Sequence, residues 1–215
     1  MKKIAVYIGA NRGYGLFHVV NEFDEIHVFE PDTEIFEELK QNCINFNNYK
    51  CDIVLNNCAC YLESGTKTLY ITENRVSTSL SEVDISTFDT IGPHSGGKPS
   101  VKKIKVETIN LYDYLKENNI DEIDYLLTDT QGADLTILKT IKPYIEQKKI
   151  KKLFCETHGN GKSLYVELDN QFDGFKELLS DNYEISYYSF DGQYKPKDYV
   201  VQDTDIEWDT CWTLK

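Results

Sequence analysis

Residues 5–15 read AVYIGANRGYG, an apolar run that breaks off into a turn holding three glycines. The run has the length and composition of a buried strand, and a helical periodicity follows it over residues 14–22. Glycine has no Cβ, so a glycine turn brings its backbone close to whatever binds there. The segment therefore predicts a strand, a turn and a helix, with a ligand at the turn.

The same alternation of apolar strands and amphipathic helices continues along the chain. The strand EIHVFEP precedes a helix predicted for residues 32–46, with Asp32 as its N-cap. Further strands are predicted at 102–109, 123–129 and 151–158, and Pro143 is expected to kink or split the helix at 133–149. This pattern predicts an α/β fold in which a mostly parallel sheet has helices on both faces, and the strands YEISYYSF and EWDTCWTLK form an antiparallel edge.

Length and charge narrow the functional classes. The 215 residues suit a single domain over 1–215, with a cofactor half at about 1–100, a substrate-facing half at about 101–215, and the polar segment 74–100 as a long loop or lid. The 36 acidic residues outnumber the 23 basic ones and give a net charge of −13. Such a surface repels nucleic acid and anionic lipid, so a small or neutral substrate is expected.

The chain has no apolar stretch of the roughly 20 residues that are needed to cross a bilayer. The hydrophobic run that follows its first three residues is too short for a signal peptide. We therefore expect a cytoplasmic protein without membrane insertion. The six cysteines form no C-x-x-C pair and are expected to be buried thiols. The sequence makes no prediction of oligomeric state.

The glycine pattern discriminates between nucleotide-like ligands. A dinucleotide fingerprint needs glycine at its first, third and sixth positions, where this chain has Gly9, Asn11 and Tyr14. A ligand without phosphates is favoured, and S-adenosylmethionine is one, since its amino-acid end needs a glycine-rich turn and its ribose a carboxylate at the end of the next strand. Glu30 stands at that position. A nicotinamide-dependent enzyme is the alternative, supported by Gly9 and Glu30 alone.

Six segments occur in the order and spacing of a known family: VYIGANRGYG, HVFEPDTEIFEELKQN, SGTKTLYI, STSL, IDYLLTDTQGADLTILK and KLFCETH. Over roughly residues 4–158 the chain closely resembles the FkbM-type methyltransferases. The resemblance implies a Rossmann-like class I methyltransferase fold with a seven-stranded sheet. It also implies that the chain binds S-adenosylmethionine and methylates an oxygen, often a sugar hydroxyl of a glycan or natural product.

The most specific segment is YLLTDTQGADLTILK, which resembles the family signature lysine-x-aspartate-x-glutamate-glycine-alanine-glutamate. Asp129, Gly132 and Ala133 match that signature. The departures are Thr128 for lysine, Gln131 for glutamate, Asp134 for the final glutamate, and Tyr7 where the first motif has an acid. They leave open a second class of function, a cofactor-binding pseudoenzyme without turnover.

The predicted cofactor contacts follow from these positions. The glycine turn is expected to hold the amino-acid end of the cofactor, Glu30 the ribose hydroxyls, and residues 57–59 the adenine ring. The full predicted set is Gly9, Ala10, Asn11, Gly13, Glu30, Pro31, Asn57, Cys58, Ala59, Ser79 and Asp129.

The predicted catalytic residues are Asp129, Glu156 and His158. Asp129 ends a central strand, while Glu156 and His158 alternate at the end of the neighbouring strand and so face the same crevice. A histidine titrates near pH 6.5 and can act as a general base. The three side chains could alternatively hold a divalent cation, although no metal is predicted. Gln131 and His94 are the predicted substrate contacts.

Overall fold

The computed structural model describes residues 2–46, 49–73, 75, 77–84, 102–161, 165–190, 192–202 and 204–215. The strands are β1 (Ile4–Ile8), β2 (Glu25–Phe29), β3 (Asp52–Asn56), β4 (Ala59–Tyr61), β5 (Gly65–Ile71), β6 (Lys102–Asn110), β7 (Tyr125–Thr128), β8 (Lys152–His158), β9 (Tyr183–Phe190), β10 (Gln193–Pro196) and β11 (Glu207–Leu214). The helices are α1 (Leu16–Val19), α2 (Thr33–Asn45), α3 (Leu111–Glu117), α4 (Asp134–Thr140), α5 (Lys142–Glu146) and α6 (Phe172–Leu179).

The main sheet has the strand order β10-β9-β11-β8-β7-β1-β2-β3. Within this sheet the neighbours β8, β7, β1, β2 and β3 pair in parallel, whereas β11 pairs antiparallel with β8 and β9, and β10 pairs antiparallel with β9. This confirms the predicted α/β class and the mostly parallel sheet. The predicted count of seven is corrected to eight, because β10 forms a hairpin with β9 where a polar loop was expected. A mostly exposed edge strand needs no apolar alternation, so its sequence looks like a loop.

A second, smaller sheet has the order β4-β6-β5. β5 pairs antiparallel with β6 along its whole length, from Gly65 opposite Thr108 to Ile71 opposite Lys102. β4 and β5 therefore belong to this second sheet and not to the main one. Both strands pair with β6, which lies about 40 residues further along the chain, so this pairing has no local signal in the sequence.

Helices cover both faces of the main sheet, as predicted. On β1, Val6 and Ile8 point to a core shared with α3, α4, α5 and α6, while Ala5 and Tyr7 point to a core shared with α1 and α2. This alternation follows from the two-residue period of a strand. It places the end of β1 between the two helical layers.

Several local predictions are confirmed. The Glu34 N–H donates to Asp32 Oδ1 at 3.1 Å, so Asp32 caps α2. The predicted helix is split into α4 and α5 next to Pro143, which lies in the first turn of α5. All six cysteines are buried free thiols, as expected. The helix predicted for 14–22 is shorter, since α1 is followed by a 3₁₀ turn at Val20–Glu22. Within the described residues, the helices are all too short or too polar to cross a membrane.

Candidate functional site

A crevice of about 320 Å³ opens at the carboxyl ends of β1, β2 and β7, which is the size of a small-molecule site. Its walls combine the β1 turn, the residues that follow β2 and β7, and part of the second sheet. Apolar side chains form one side: Phe29, Cys58, Ala59, Cys60, Leu69 and Leu80. Polar groups converge on the other side.

The turn after β1 requires glycine at its first position. Gly9 has a φ of +80°, and a Cβ there would lie 1.9 Å from the backbone oxygen of Asp129. The N–H groups of Gly9 and Ala10 both donate to the carbonyl of Phe29, at 3.0 and 3.1 Å. The turn is therefore packed directly against the ends of β7 and β2, and its backbone forms the crevice wall.

Glu30 is fixed by the backbone on both sides. Its Oε2 accepts from the Asn11 N–H at 2.9 Å, and its Oε1 accepts from the Asp32 N–H at 2.8 Å. The residue is only 6% exposed, and this burial raises the pKa of the carboxyl to about 7, against the lowering effect of the two hydrogen bonds. A rigid carboxylate thus lines the crevice, with acceptor capacity left for hydroxyl groups.

Arg75 joins the crevice wall from the segment after β5, and it was not among the residues predicted from the sequence. Its Nη1 donates to Asp32 Oδ2 at 2.7 Å, its Nη2 pairs with Glu34, and its carbonyl accepts from Asn11 Nδ2 at 3.0 Å. These contacts bridge the glycine turn and the start of α2. The only available signal was a basic residue shortly before STSL in a mostly acidic chain.

Thr78 also lines the crevice. Its Oγ1 is buried and, within the described part of the chain, has no hydrogen-bond partner. A buried hydroxyl in this state costs free energy unless something pairs with it. The Thr78 hydroxyl is therefore available for a hydrogen bond to a bound molecule.

Asp129, Gln131 and Glu156 form a hydrogen-bonded chain that runs inward from the crevice. Gln131 Nε2 donates to Asp129 Oδ1 at 2.9 Å and to Glu156 Oε1 at 2.5 Å. Asp129 is accessible from the crevice, whereas Glu156 is buried and also accepts from the Gly132 N–H at 3.2 Å. Desolvation by the surrounding protein raises the pKa of Asp129, and burial beside Glu207 raises the pKa of Glu156 well above its ordinary value.

His158 lies at the end of β8 and is only 1% exposed. Its ring stacks on Tyr165 with centroids 5.9 Å apart, and neither ring nitrogen has a hydrogen-bond partner among the described residues. Burial lowers the pKa of His158 to about 4, so the imidazole is neutral. It lies close to Glu156 and Glu207, with one nitrogen and one oxygen of each carboxylate within 4.8 Å of one another.

Most of the residues predicted from the sequence meet at this crevice. Those that line it are Gly9, Ala10, Asn11, Glu30, Pro31, Cys58, Ala59, Asp129 and Gln131. Those that do not line it are Gly13, Asn57, Ser79, Glu156 and His158. The predicted contact His94, like most of the predicted loop 74–100, lies outside the described residues.

Three of the residues that do not line the crevice support it from behind. Gly13 packs against the Leu39 side chain so closely that a Cβ at this position would lie 2.6 Å from Leu39 Cδ1. Asn57 Nδ2 donates to the carbonyl of Glu30 at 2.9 Å, and Ser79 Oγ donates to the carbonyl of Gln131 at 2.7 Å. They position the backbone on either side of the crevice.

A family model, the methyltransferase FkbM domain, matches residues 8–183 of the sequence. No curated protein matches the sequence. The chain is similar to the crystal structure of methyltransferase FkbM from Methylobacillus flagellatus KT, with a TM-score of 0.56 and 16% identity. The match covers 100% of this chain and 43% of the Methylobacillus chain. An rRNA methylase from Streptococcus thermophilus has a TM-score of 0.51 and 10% identity, covering 99% of this chain and 87% of that chain. The chain thus has the fold of these methyltransferases and spans less than half of the Methylobacillus protein.

Proposed function

The chain belongs to the FkbM family of S-adenosylmethionine-dependent methyltransferases, and we propose that it methylates a sugar hydroxyl of a glycan or glycosylated small molecule. The observation that carries the proposal is the Glu30 carboxylate, which two backbone N–H groups fix at the end of β2 inside the crevice. A carboxylate held in this way accepts from two neighbouring ribose hydroxyls in charge-assisted hydrogen bonds.

The other crevice residues also fit S-adenosylmethionine. The apolar side formed by Phe29, Cys58 and Ala59 suits an adenine ring, and the Oγ1 of Thr78 is a buried group that still needs a partner. The backbone of the glycine turn takes the amino-acid end of the molecule. Among the described residues, Glu30 and Asp129 bring two carboxyl groups without a basic partner to the crevice, and their negative charge favours a sulfonium cation.

S-adenosylmethionine, when bound, supplies an electrophilic methyl group on its sulfonium. The chain's own residues must then align the acceptor oxygen and take its proton. Asp129 is the crevice residue suited to that task, because desolvation raises its pKa and makes the carboxylate a stronger base. Gln131 holds Oδ1 of Asp129, so we assign Oδ2 as the atom that receives the proton.

A second cavity supports a carbohydrate acceptor. It has a volume of about 620 Å³ and begins at Gly159, the residue after His158. Phe172, Tyr188, Tyr199 and Trp208 line it, and the buried Nε1 of Trp208 has no partner within the described residues. Aromatic faces with a few free polar groups are typical of sites that take a partly apolar ring such as a sugar.

The test is methyl transfer to a panel of glycans and glycosides in the presence of S-adenosylmethionine. Mass spectrometry should show one product that has gained the mass of a single CH₂, together with S-adenosylhomocysteine. Asp129→Asn should lower kcat by about 10²–10⁴-fold while S-adenosylhomocysteine still binds. The exposed Asp181→Asn is the matched control and should keep full activity.

The same assay separates an enzyme from a cofactor-binding pseudoenzyme. Binding of S-adenosylhomocysteine without transfer to any member of the panel would favour the pseudoenzyme. Absence of S-adenosylhomocysteine binding, with a fluorescence change on titrating NADH, would favour a nicotinamide-dependent enzyme.

A further inference from the structure

Three potential metal ligands converge where β8 and β11 meet. Glu156 and His158 alternate on β8, so their side chains point to the same face of the sheet. Glu207 is paired directly opposite His158 in the antiparallel β8–β11 ladder, and it therefore projects to that face too. One ligand atom from each side chain lies within 4.8 Å of the other two.

The imidazole of His158 is the feature that points to a ligand. Both ring nitrogens are buried, and within the described residues neither has a hydrogen-bond partner. One of them faces the two carboxylates from within 4.8 Å. Leaving a buried polar group unpaired costs free energy, so native structures seldom retain one without a reason.

The spacing suits a single ion. Metal–ligand bonds of roughly 2.0–2.2 Å put two ligand atoms of one ion at most about 4.4 Å apart. The three ligand atoms lie within 4.8 Å of one another, so the largest separation exceeds this value by a few tenths of an ångström at most. A small rotation of the exposed Glu207 side chain would bring the atoms close enough. Glu207 already takes part in an interaction in this structure.

We propose that Glu156, His158 and Glu207 bind one divalent metal ion, such as Mn²⁺ or Zn²⁺. Carboxylate oxygens suit Mn²⁺, and an imidazole nitrogen suits Zn²⁺. A set of two carboxylates and one imidazole is therefore compatible with either ion. A cation also relieves the repulsion between two carboxylates that face each other beside buried groups. Three protein ligands leave further coordination positions for water or substrate.

The role of the ion rests on the proposed function, although its binding does not. Glu156 is linked through Gln131 to Asp129 in the crevice, so the ion would lie next to the methyl-transfer site. There it would coordinate the acceptor hydroxyl and lower its pKa, which makes proton transfer to Asp129 easier. This replaces the set of Asp129, Glu156 and His158 that the sequence suggested for a cation.

Titration calorimetry of the EDTA-treated full chain with MnCl₂ and with ZnCl₂ tests the proposal. One equivalent of at least one of these ions should bind to the wild-type chain. Glu207→Gln should weaken that binding at least tenfold, and His158→Ala should weaken it similarly. Glu177→Gln changes an exposed glutamate on α6 and should bind as the wild type does. Circular dichroism melting checks that each variant is folded.

Absence of binding by the wild-type chain would overturn the proposal, and so would wild-type affinity in folded Glu207→Gln. Glu207 is exposed, so this variant remains informative even if His158→Ala fails to fold. S-adenosylhomocysteine binding is measured on the same samples without metal. If it persists while no metal binds, the metal site fails and the proposed function stands.

Discussion

Glu30 is the residue on which the proposed cofactor site depends most. Its carboxyl is buried and yet held by the N–H groups of Asn11 and Asp32, so its orientation is set before any ligand arrives. Burial and hydrogen bonding act on its pKa in opposite directions, and burial dominates, giving a pKa of about 7. The charge of this group therefore changes within the physiological pH range.

We predict that S-adenosylmethionine binds more tightly as the pH rises from 6 to 8. The ionised fraction of a group with a pKa of about 7 rises roughly tenfold over this interval, and only the ionised carboxylate attracts the sulfonium. The gain in affinity should therefore be several-fold and should level off above pH 8. Calorimetry at a series of pH values measures it.

Glu30→Gln is the control for this pH dependence, because it removes the titrating group and keeps the shape. Its affinity should be lower and nearly constant over the same range. An equally steep rise in the glutamine variant would assign the titration to another group.

At the residue scale, the sequence predicted the crevice where the evidence was local. Gly9, Glu30 and Asp129 each end a recognisable strand, and the carboxyl ends of parallel strands meet at one edge. Arg75 could not be predicted, because its role depends on a fold-back that places it against α2. The Gln131–Glu156 hydrogen bond joins residues 25 positions apart and was hidden for the same reason.

At the scale of elements, the β1 turn sets the geometry of the crevice. Gly9 brings the end of β1 against the backbone of Asp129 at the end of β7. The two strands are neighbours in the sheet. A side chain at this position would separate them and displace the Glu30 partner Asn11.

We predict that Gly9→Ala abolishes S-adenosylhomocysteine binding and lowers the thermal midpoint. The added Cβ would lie 1.9 Å from a backbone oxygen, so the turn has to move. Gly192→Ala is matched to it, since Gly192 also has a positive φ but meets nothing within 4 Å. That control should lose only about 1–2 kcal/mol and keep its affinity. Wild-type binding in folded Gly9→Ala would show that the turn does not shape the site.

Elements with local signals were predicted well, and elements defined by long-range pairing were not. α2 has an N-cap and an apolar stripe in its own sequence, and Pro143 marks the break between α4 and α5. The small sheet formed by β4, β5 and β6 instead depends on which distant strand each of them meets. Periodicity identifies strands but leaves their partners undetermined.

At the scale of the whole molecule, charge separates the proposed acceptor from nucleic acid. The net charge is −13, and the arginines at the crevice are already paired, Arg12 with Glu38 at 2.7 Å and Arg75 with Asp32 at 2.7 Å. Nucleic-acid binding depends on unpaired cationic groups that displace counterions from phosphates. We therefore expect this chain to methylate an acceptor other than nucleic acid.

We predict that the chain neither binds nor methylates RNA. A gel-shift assay with total RNA at low ionic strength should show no complex, since low salt gives electrostatic binding its best chance. Transfer of a labelled methyl group to the same RNA should not exceed the protein-free background. Salt-sensitive retardation of RNA, or labelling above background, would contradict this expectation and the glycan proposal with it.

Calorimetric titration of S-adenosylhomocysteine into the wild-type chain, Glu30→Gln and Glu37→Gln tests the central claim most directly. Glu37 lies exposed on α2, only a few residues from the crevice, and is the matched control. We predict one bound molecule per chain for the wild type and for Glu37→Gln, and at least tenfold weaker binding for Glu30→Gln. No binding by the wild type, or unchanged affinity in Glu30→Gln, would contradict the assignment of this crevice to the methyl donor.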